Sequence, residues 1–157
     1  KVELKVALVE ESQLYSESID CWKDIEGIDF SSMREEAIKA CYLSNLKSSN
    51  LLSNPSTFIN VDFEDKKQLF LKNKKKIKIL RKGIIHGIAL WFEASLSSDV
   101  MLSSSPLSRT HWKQCFAPLS MPINANKCDN VFVNIDIQLR TKGNNSFNFT
   151  FSIDKEI

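Results

Sequence analysis

Three consecutive residues, Thr110, His111 and Trp112, are the part of this sequence best equipped for chemistry. An imidazole changes charge near neutral pH, so His111 could act as a general acid or base. The same triplet is also typical of a junction between a loop and a strand, with Trp112 as a core anchor. The residues alone favour that simpler interpretation.

Familiar catalytic and ligand-binding motifs are missing from the sequence. It contains no glycine-rich dinucleotide or phosphate loop, no HExxH pair and no Ser-His-Asp arrangement. Only four glycines are present, which argues against a nucleotide-binding α/β domain, so no cofactor-binding residue is predicted in this chain. The second histidine, His86, lies on the apolar side of a predicted strand, which favours a hydrogen-bonded core or half-buried residue over a metal ligand.

The cysteines form no recognisable metal or disulfide motif. They are Cys21, Cys41, Cys115 and Cys128. No CxxC pair is present and no histidine spacing indicates zinc, so no metal site is predicted. Free thiols in a reducing compartment, cytoplasmic or nuclear, are the preferred interpretation. Two glycosylation-type triplets, at Asn144 and Asn148, point to secretion, but such triplets arise readily by chance in a chain rich in Asn and Ser.

A run of basic residues is the strongest charge feature. Seven occur within eleven positions: Lys72, Lys74, Lys75, Lys76, Lys78, Arg81 and Lys82. Such a patch could bind nucleic acid or an acidic peptide. The interleaved Ile77, Ile79 and Leu80 instead favour a solvated sheet edge, whose lysines discourage pairing with another sheet. Because the net charge is only +2, no direct nucleic-acid partner is expected.

Length and composition indicate one globular domain. The 157 residues suffice for a real core, and 43% of them are apolar while 25% are charged. No apolar run approaches the roughly 20 residues of a membrane-spanning helix, so no membrane partner is expected. The first residues, KVELKVALVE, look like a strand already under way, which suggests that the chain starts inside a longer protein.

Alternating apolar residues predict an antiparallel β domain around these motifs. Strands are predicted over 2–9, 58–63, 67–71, 76–81, 84–96, 111–119, 131–139 and 147–153, with turns at Asn73 and over 141–145 and a Ser/Pro loop over 98–109. On the long strand, Ile84, His86, Ile88, Leu90 and Phe92 share one face. Gly87 is expected to allow close backbone approach. Many short strands with one buried face are typical of a barrel or a jelly-roll-like sandwich.

Residues 11–42 interrupt this β pattern with a predicted helical insertion. The spacing Ser32-x-x-Glu35 predicts a capping box. The helix that it opens is expected to run to about Cys41, with Met33, Ala37 and Cys41 as one apolar stripe.

In chain order, these features resemble the C-terminal β-barrel domain of the protein arginine N-methyltransferases, nearly end to end. LKVALVEES resembles the strand that leads into the barrel, IDCWKDIEGIDFSSMREEAI the dimerisation arm, HGIALWFEASL a central strand and NFTFSID the closing strand. The most specific match is LSSSPLSRTHWKQ, a small-residue loop followed by the Thr-His-Trp signature of the type I branch. The loop between Pro106 and Thr110 is slightly shorter than is usual in the family.

The resemblance implies a reaction and roles for particular residues. Family members transfer a methyl group from S-adenosylmethionine to a guanidinium nitrogen of a protein arginine, and a preceding α/β domain, which this chain lacks, holds the cofactor and the carboxylates. By this likeness, Thr110 fixes the loop and Trp112 walls the arginine pocket. His111 is the implied catalytic residue, which contacts the carboxylate network and relays protons. All three are implied substrate-binding residues.

The resemblance also implies partners. The arm would pack on the cofactor domain of a second copy and form a homodimer, through Tyr15, Trp22, Ile25, Phe30 and Met33. The substrates would be arginine-containing proteins. S-adenosylmethionine would bind the full-length protein, whereas the isolated chain is expected to bind no cofactor and to be inactive.

Two other interpretations stay open. A degenerate family member or barrel module could recruit substrate to an active methyltransferase, or regulate it, without catalysing the reaction. An unrelated and secreted β-sandwich binding domain is the third interpretation, which linked cysteines or glycans on Asn144 or Asn148 would favour.

Overall fold

The computed structural model of the protein describes residues 1–61, 70–108, 110–139 and 147–155. Its strands are β1 (Val2–Val9), β2 (Tyr42–Ser44), β3 (Ser56–Val61), β4 (Phe70–Lys78), β5 (Gly83–Ser95), β6 (Met101–Ser103), β7 (Gln114–Ala125), β8 (Asn130–Leu139) and β9 (Phe147–Lys155). The helices are α1 (Ser12–Ser18) and α2 (Ser31–Ile38), with short 3-10 turns at Asp20–Lys23 and Ser48–Asn50. The predicted turn over 141–145 and parts of the predicted strands over 58–63 and 67–71 lie outside the described residues.

Two antiparallel sheets form the domain, which confirms the predicted fold class. The larger sheet has the order β2-β7-β5-β1-β3, and β6 adds to β5. The smaller sheet has the order β4-β8-β9. Among the described residues the two sheets pack as a sandwich and do not close into a continuous barrel.

The main core lies between the two sheets. Alternate residues of β1 enter it, because successive side chains of a strand point to opposite faces. Val6 and Leu8 are fully buried there, and Leu4 packs against them, as the alternation predicts. From the smaller sheet, Val131 and Val133 are also fully buried.

A second core lies on the opposite face of the larger sheet, under the arm. Ala7 and Val9 of β1 face it, together with Ala89 and Trp91 of β5. The arm covers this face with Tyr15 and Ile19, along with Leu46 from the segment after β2. Both faces of the central strands are therefore buried. For this reason the last four residues of β1 are all buried, although they point alternately to opposite faces.

The long strand β5 contains an irregularity that changes which residues face the main core. Its pairing with β7 shifts between Ile85 and Gly87. Between the pairs Ile85–Ile123 and Gly87–Pro118, β7 has three more residues than β5, so the pairing is interrupted and β5 does not keep one face inward across this point. Ile85 and Ile88 are buried in the main core, whereas Ile84 is 40% exposed. The predicted face that joined Ile84 and His86 to Ile88 is therefore wrong on the N-terminal side of this irregularity.

The expectation for Gly87 is confirmed. A Cβ atom at this position would lie 2.3 Å from the carbonyl oxygen of Ala117 and 2.8 Å from the Phe116 ring. Only glycine allows β5 and β7 to approach this closely.

The basic run lies on one continuous strand. The predicted turn at Asn73 is wrong, because β4 continues through this residue, which pairs with Ile135 of β8. The Asn73 side chain also donates a hydrogen bond to the Phe58 carbonyl, at 2.6 Å. As β4 is at one edge of the smaller sheet, the lysines occupy the solvated edge that the sequence favours.

The predicted capping box is also wrong. Helix α2 begins at Ser31, so Ser32 is already inside it, and the residue before the helix, Phe30, offers no side-chain cap. The Asp29 carboxylate instead accepts hydrogen bonds from the backbone N–H and the hydroxyl of Ser31, which lower the pKa of Asp29. The helix ends at Ile38, so Cys41 lies outside it and Met33, Ala37 and Cys41 form no continuous stripe.

Candidate functional site

The buried side chain of Gln114 holds the segment that carries the candidate site. Its Oε1 accepts a hydrogen bond from the Leu46 backbone N–H at 2.9 Å. Its Nε2 donates to the carbonyls of Ser104, at 2.7 Å, and Trp112, at 3.2 Å. One amide therefore joins the start of β7, the segment after β2 and the serine-rich loop, and fixes the backbone of the Thr110–Trp112 segment.

The serine-rich loop after β6 is built from side chains that bond to backbone groups. The Ser104 hydroxyl accepts from the Phe92 N–H at 3.2 Å, and the Ser104 N–H donates to the Phe92 carbonyl at 3.0 Å. The Ser105 hydroxyl accepts from the Leu107 N–H, which makes a local turn. Both serines are buried although serine is polar, because the bonds of Ser104 to β5 and of Ser105 within the loop satisfy their hydroxyl groups.

Thr110, His111 and Trp112 are all exposed at the end of this loop. The Trp112 ring stands edge-on to the Phe92 ring, with centroids 5.4 Å apart and an interplanar angle of 89°. The centroid of the His111 ring lies 5.9 Å from that of the Trp112 ring, with an interplanar angle of 31°. Strand β7 begins only at Gln114, so the triplet is a loop-to-strand junction, but Trp112 is 44% exposed and is not the core anchor that this interpretation expects.

The triplet lies at the end of the larger sheet where the chain starts. Phe92, which supports Trp112, pairs with Leu4 of β1. The amino group of Lys1 donates to the Ser95 carbonyl at 3.2 Å, a few residues further along β5. Any domain that precedes Lys1 would join the chain near this edge, where the imidazole and the indole are accessible.

The arm presents apolar side chains to solvent. Ile25 is 39% exposed, Ile28 is 58% exposed and Met33 is 45% exposed, while Trp22 and Phe30 are half-buried. The tip between the helices is a tight turn, in which Gly27 adopts a φ of +82°. Several exposed apolar side chains in one short segment are typical of surfaces that contact another protein.

Tyr15 departs from the role predicted for it in the arm. Only 2% of it is exposed, because it is buried in the second core of its own chain. Its hydroxyl donates to the Leu119 carbonyl at 2.9 Å, and Arg34 of α2 donates to the same hydroxyl at 3.0 Å. Burial is the main cause that raises the pKa of Tyr15. Tyr15 therefore attaches the arm to the sheet and cannot contact a partner.

The second histidine belongs to the core, as predicted. His86 is 7% exposed, its Nδ1 accepts from the Glu11 backbone N–H at 3.2 Å, and its ring lies 5.5 Å from the ring of Tyr15. Within the described parts of the chain, no group of three or more His, Cys, Asp or Glu residues could hold a metal ion. No described helix has the length and apolar character needed to cross a membrane.

A comparison with known families identifies the domain. Residues 1–156 match the family model described as the arginine methyltransferase oligomerization subdomain. The chain belongs to this family. The residues that match this family model include both the arm and the Thr110–Trp112 segment.

Individual relatives agree with this assignment. Protein arginine N-methyltransferase 1 of Dictyostelium discoideum is 28% identical over 120 residues, which cover 73% of this chain and 35% of the relative. The protein of the same name from Saccharomyces cerevisiae is 24% identical over 160 residues, which cover 97% of this chain and 46% of the relative. The subdomain thus spans less than half the length of these relatives.

Solved structures show the same fold. The chain matches a Trypanosoma brucei PRMT1 enzyme-prozyme heterotetrameric complex with AdoHcy, with a TM-score of 0.89 and 17% identity over 99% of this chain and 51% of that chain. It matches a PRMT6 crystal structure with a TM-score of 0.65 and 18% identity, over 99% of this chain and 54% of that chain.

Sequence reasoning missed the residues that position the site. Gln114, Ser104 and Phe92 support Trp112, yet none of them was singled out, because each has an ordinary type for a strand or loop. The available signal was the position of Gln114 two residues after Trp112, at the start of an apolar strand, where a polar side chain is expected to be hydrogen-bonded if it is buried.

Proposed function

We propose that this chain is the substrate-side and dimerisation domain of a protein arginine N-methyltransferase, which transfers a methyl group from S-adenosylmethionine to arginine residues of proteins. The observation that carries the proposal is the display of His111 and Trp112 at the end of the sheet where the chain starts, in a chain that matches the family along its length. A cofactor domain outside this chain would supply the methyl donor and close the other side of the site.

The chemistry explains why positioning groups matter. A guanidinium has a pKa above about 12 and is a poor nucleophile, so carboxylates must orient it and localise its charge. We assign the contact with that carboxylate network, and proton relay, to His111. Trp112 forms a wall of the arginine pocket, and Thr110 fixes the loop. The support that these roles need is present, because buried Gln114 and Ser104 hold the loop rigidly.

The arm supplies the proposed dimer contact. Ile25, Phe30, Met33 and the half-buried Trp22 would pack on the cofactor domain of a second copy and form a homodimer. The exposed apolar surface of the arm supports this proposal. A cytoplasmic or nuclear location is also proposed, which the four unpaired cysteines support.

The test is an assay of the full-length protein with an arginine-rich peptide. His111→Ala should lower kcat by about 10²-fold, the smaller end of the range for a positioned acid or base. The melting temperature should not change, because His111 is exposed. Lys113→Ala, an exposed neighbour in the same segment, is the matched control and should keep wild-type kcat.

Two results would contradict the proposal. If His111→Ala and Lys113→Ala retained equal activity, His111 would have no catalytic role. If the wild-type protein were inactive alone but increased the activity of another methyltransferase, this family member would be a non-catalytic partner and not an enzyme.

A further inference from the structure

Two cysteines from distant parts of the sequence meet beside the candidate site. Cys41 immediately precedes β2, and Cys115 lies on β7, directly after Gln114. In the β2–β7 ladder, Leu43 is opposite Cys115, so Cys41 lies diagonally across from it on the same face. Both cysteines line one groove of about 440 Å³, together with Leu43 of β2, Phe92 of β5 and Lys113.

The two thiols differ in a way that suits directed oxidation. Cys41 is exposed, whereas Cys115 is partly buried. Their mutual contact lowers the pKa of the Cys41 thiol, and it raises the pKa of the Cys115 thiol, with burial adding to the increase. Because Cys41 is the more exposed thiol, a peroxide reaches it first, and the less exposed Cys115 is the thiol that reacts with it in the second step.

We propose that Cys41 and Cys115 form a dithiol site that hydroperoxides oxidise to a disulfide. The Cys41 thiolate attacks the hydroperoxide, the O–O bond breaks, and the products are a sulfenic acid on Cys41 and an alcohol or water. The Cys115 sulfur then attacks the sulfur of Cys41 and forms the S–S bond. Hydroxide leaves with the Cys115 proton as water. Each thiol loses one electron, and the peroxide accepts both.

The local backbone can accommodate the bond. A disulfide needs Cβ atoms about 3.5–4.5 Å apart, which is closer than the usual diagonal spacing in a sheet. Cys41 lies outside the β2–β7 ladder, before its first pair, Tyr42 with Phe116. It can therefore approach Cys115 without breaking a ladder pair. The resulting bond would tie β2 to β7 next to Gln114, on which the Trp112 segment depends.

Peptide mapping tests the site directly, because trypsin places each cysteine in a different peptide. Cys41 lies in residues 40–47, Cys115 in 114–127, Cys21 in 6–23 and Cys128 in 128–140. The folded chain is treated with hydrogen peroxide, blocked with an alkylating agent and digested. The expected product is peptide 40–47 linked to peptide 114–127, with the loss of two hydrogen atoms. Cys41→Ser and Cys115→Ser should each abolish this product, while the controls Cys21→Ser and Cys128→Ser should retain it.

A second measurement tests which of the two cysteines is oxidised first. In Cys115→Ser, the sulfenic acid on Cys41 should persist long enough to be trapped by a dimedone-type reagent, whereas Cys41→Ser should give little trapped product on Cys115. The proposal is overturned if peptides 40–47 and 114–127 stay unlinked in the wild-type protein, or if links to Cys21 or Cys128 form as readily. It is independent of the proposed methyltransferase function, since neither measurement requires catalysis.

Discussion

Gln114 decides how the residues of the candidate site are displayed. It is 4% exposed, and its three hydrogen bonds end on three separate segments of backbone. Removal of such a side chain leaves buried backbone groups without partners, which costs more than the net gain from each bond. The positions of the exposed Trp112 and His111 rings therefore depend on a buried residue.

Gln114→Ala is expected to destabilise the chain by about 2–3 kcal/mol, because the buried N–H of Leu46 and the carbonyl of Ser104 lose their partner. Denaturant unfolding followed by circular dichroism measures the change. Gln13→Ala is the matched control, since the amide of Gln13 makes only an exposed hydrogen bond with Glu17. It should change stability by less than about 0.5 kcal/mol. Equal effects of the two substitutions would show that Gln114 does not support the loop.

The arm has an inner side, which faces the larger sheet, and an outer side, which faces solvent. Its inner side is fixed to the sheet by Tyr15, Ile19 and the bonds of Arg34 to the Tyr15 hydroxyl and the Ser120 carbonyl. Its outer side carries the exposed Ile28 and Met33. The arm is thus rigidly attached while its apolar tip remains available for a partner.

Met33→Asp is expected to weaken self-association of the full-length protein and leave its fold intact. Met33 lies in the first turn of α2, where a negative charge interacts favourably with the helix dipole. The measurement is light scattering after gel filtration over a range of concentrations. Met101→Asp replaces a methionine of β6 that is 68% exposed, and as the control it should leave the oligomer unchanged. An oligomer that is insensitive to both substitutions would exclude the arm as the contact.

The close approach of β5 and β7 at Gly87 also limits which side chains the larger sheet can accommodate. Gly87→Ala should destabilise the chain by about 1–3 kcal/mol, because the added methyl group overlaps the Ala117 carbonyl and neither backbone can move without disturbing the core. Ser95→Ala, at the exposed end of the same strand, is the control. Thermal unfolding of both variants measures the difference. A Gly87→Ala variant as stable as the control would show that the close approach relaxes at no cost.

The whole molecule consists of one sheet buried on both faces, between a smaller sheet and an arm. This arrangement supplies two cores within a chain that spans less than half of its relatives. The sequence contains no glycine-rich motif of the kind that cradles a nucleotide-like cofactor. Under the proposed function, the chain contributes one side of the reaction site and a surface for association.

Accordingly, the 157-residue chain alone is expected to bind no S-adenosylmethionine and to methylate no arginine peptide. Isothermal calorimetry measures the binding, with the full-length protein as the positive control. Stoichiometric heat from the chain alone would contradict the prediction and place a cofactor site within these residues.

The sequence predicted the antiparallel β fold class, the longer strands, the helical arm and the position of the candidate triplet, because these follow from local periodicity and motif. It missed the short strands β2 and β6 and divided β4 into two. It also predicted the burial of His86 and the packing role of Gly87, although the strand face to which it assigned His86 was wrong. The tertiary structure decided the rest. The irregularity of β5, the continuity of β4 through Asn73 and the burial of Tyr15 depend on partners far along the chain. The bond from the Leu46 N–H to Gln114 and the meeting of Cys41 with Cys115 also arise only when distant segments come together, which no local pattern encodes.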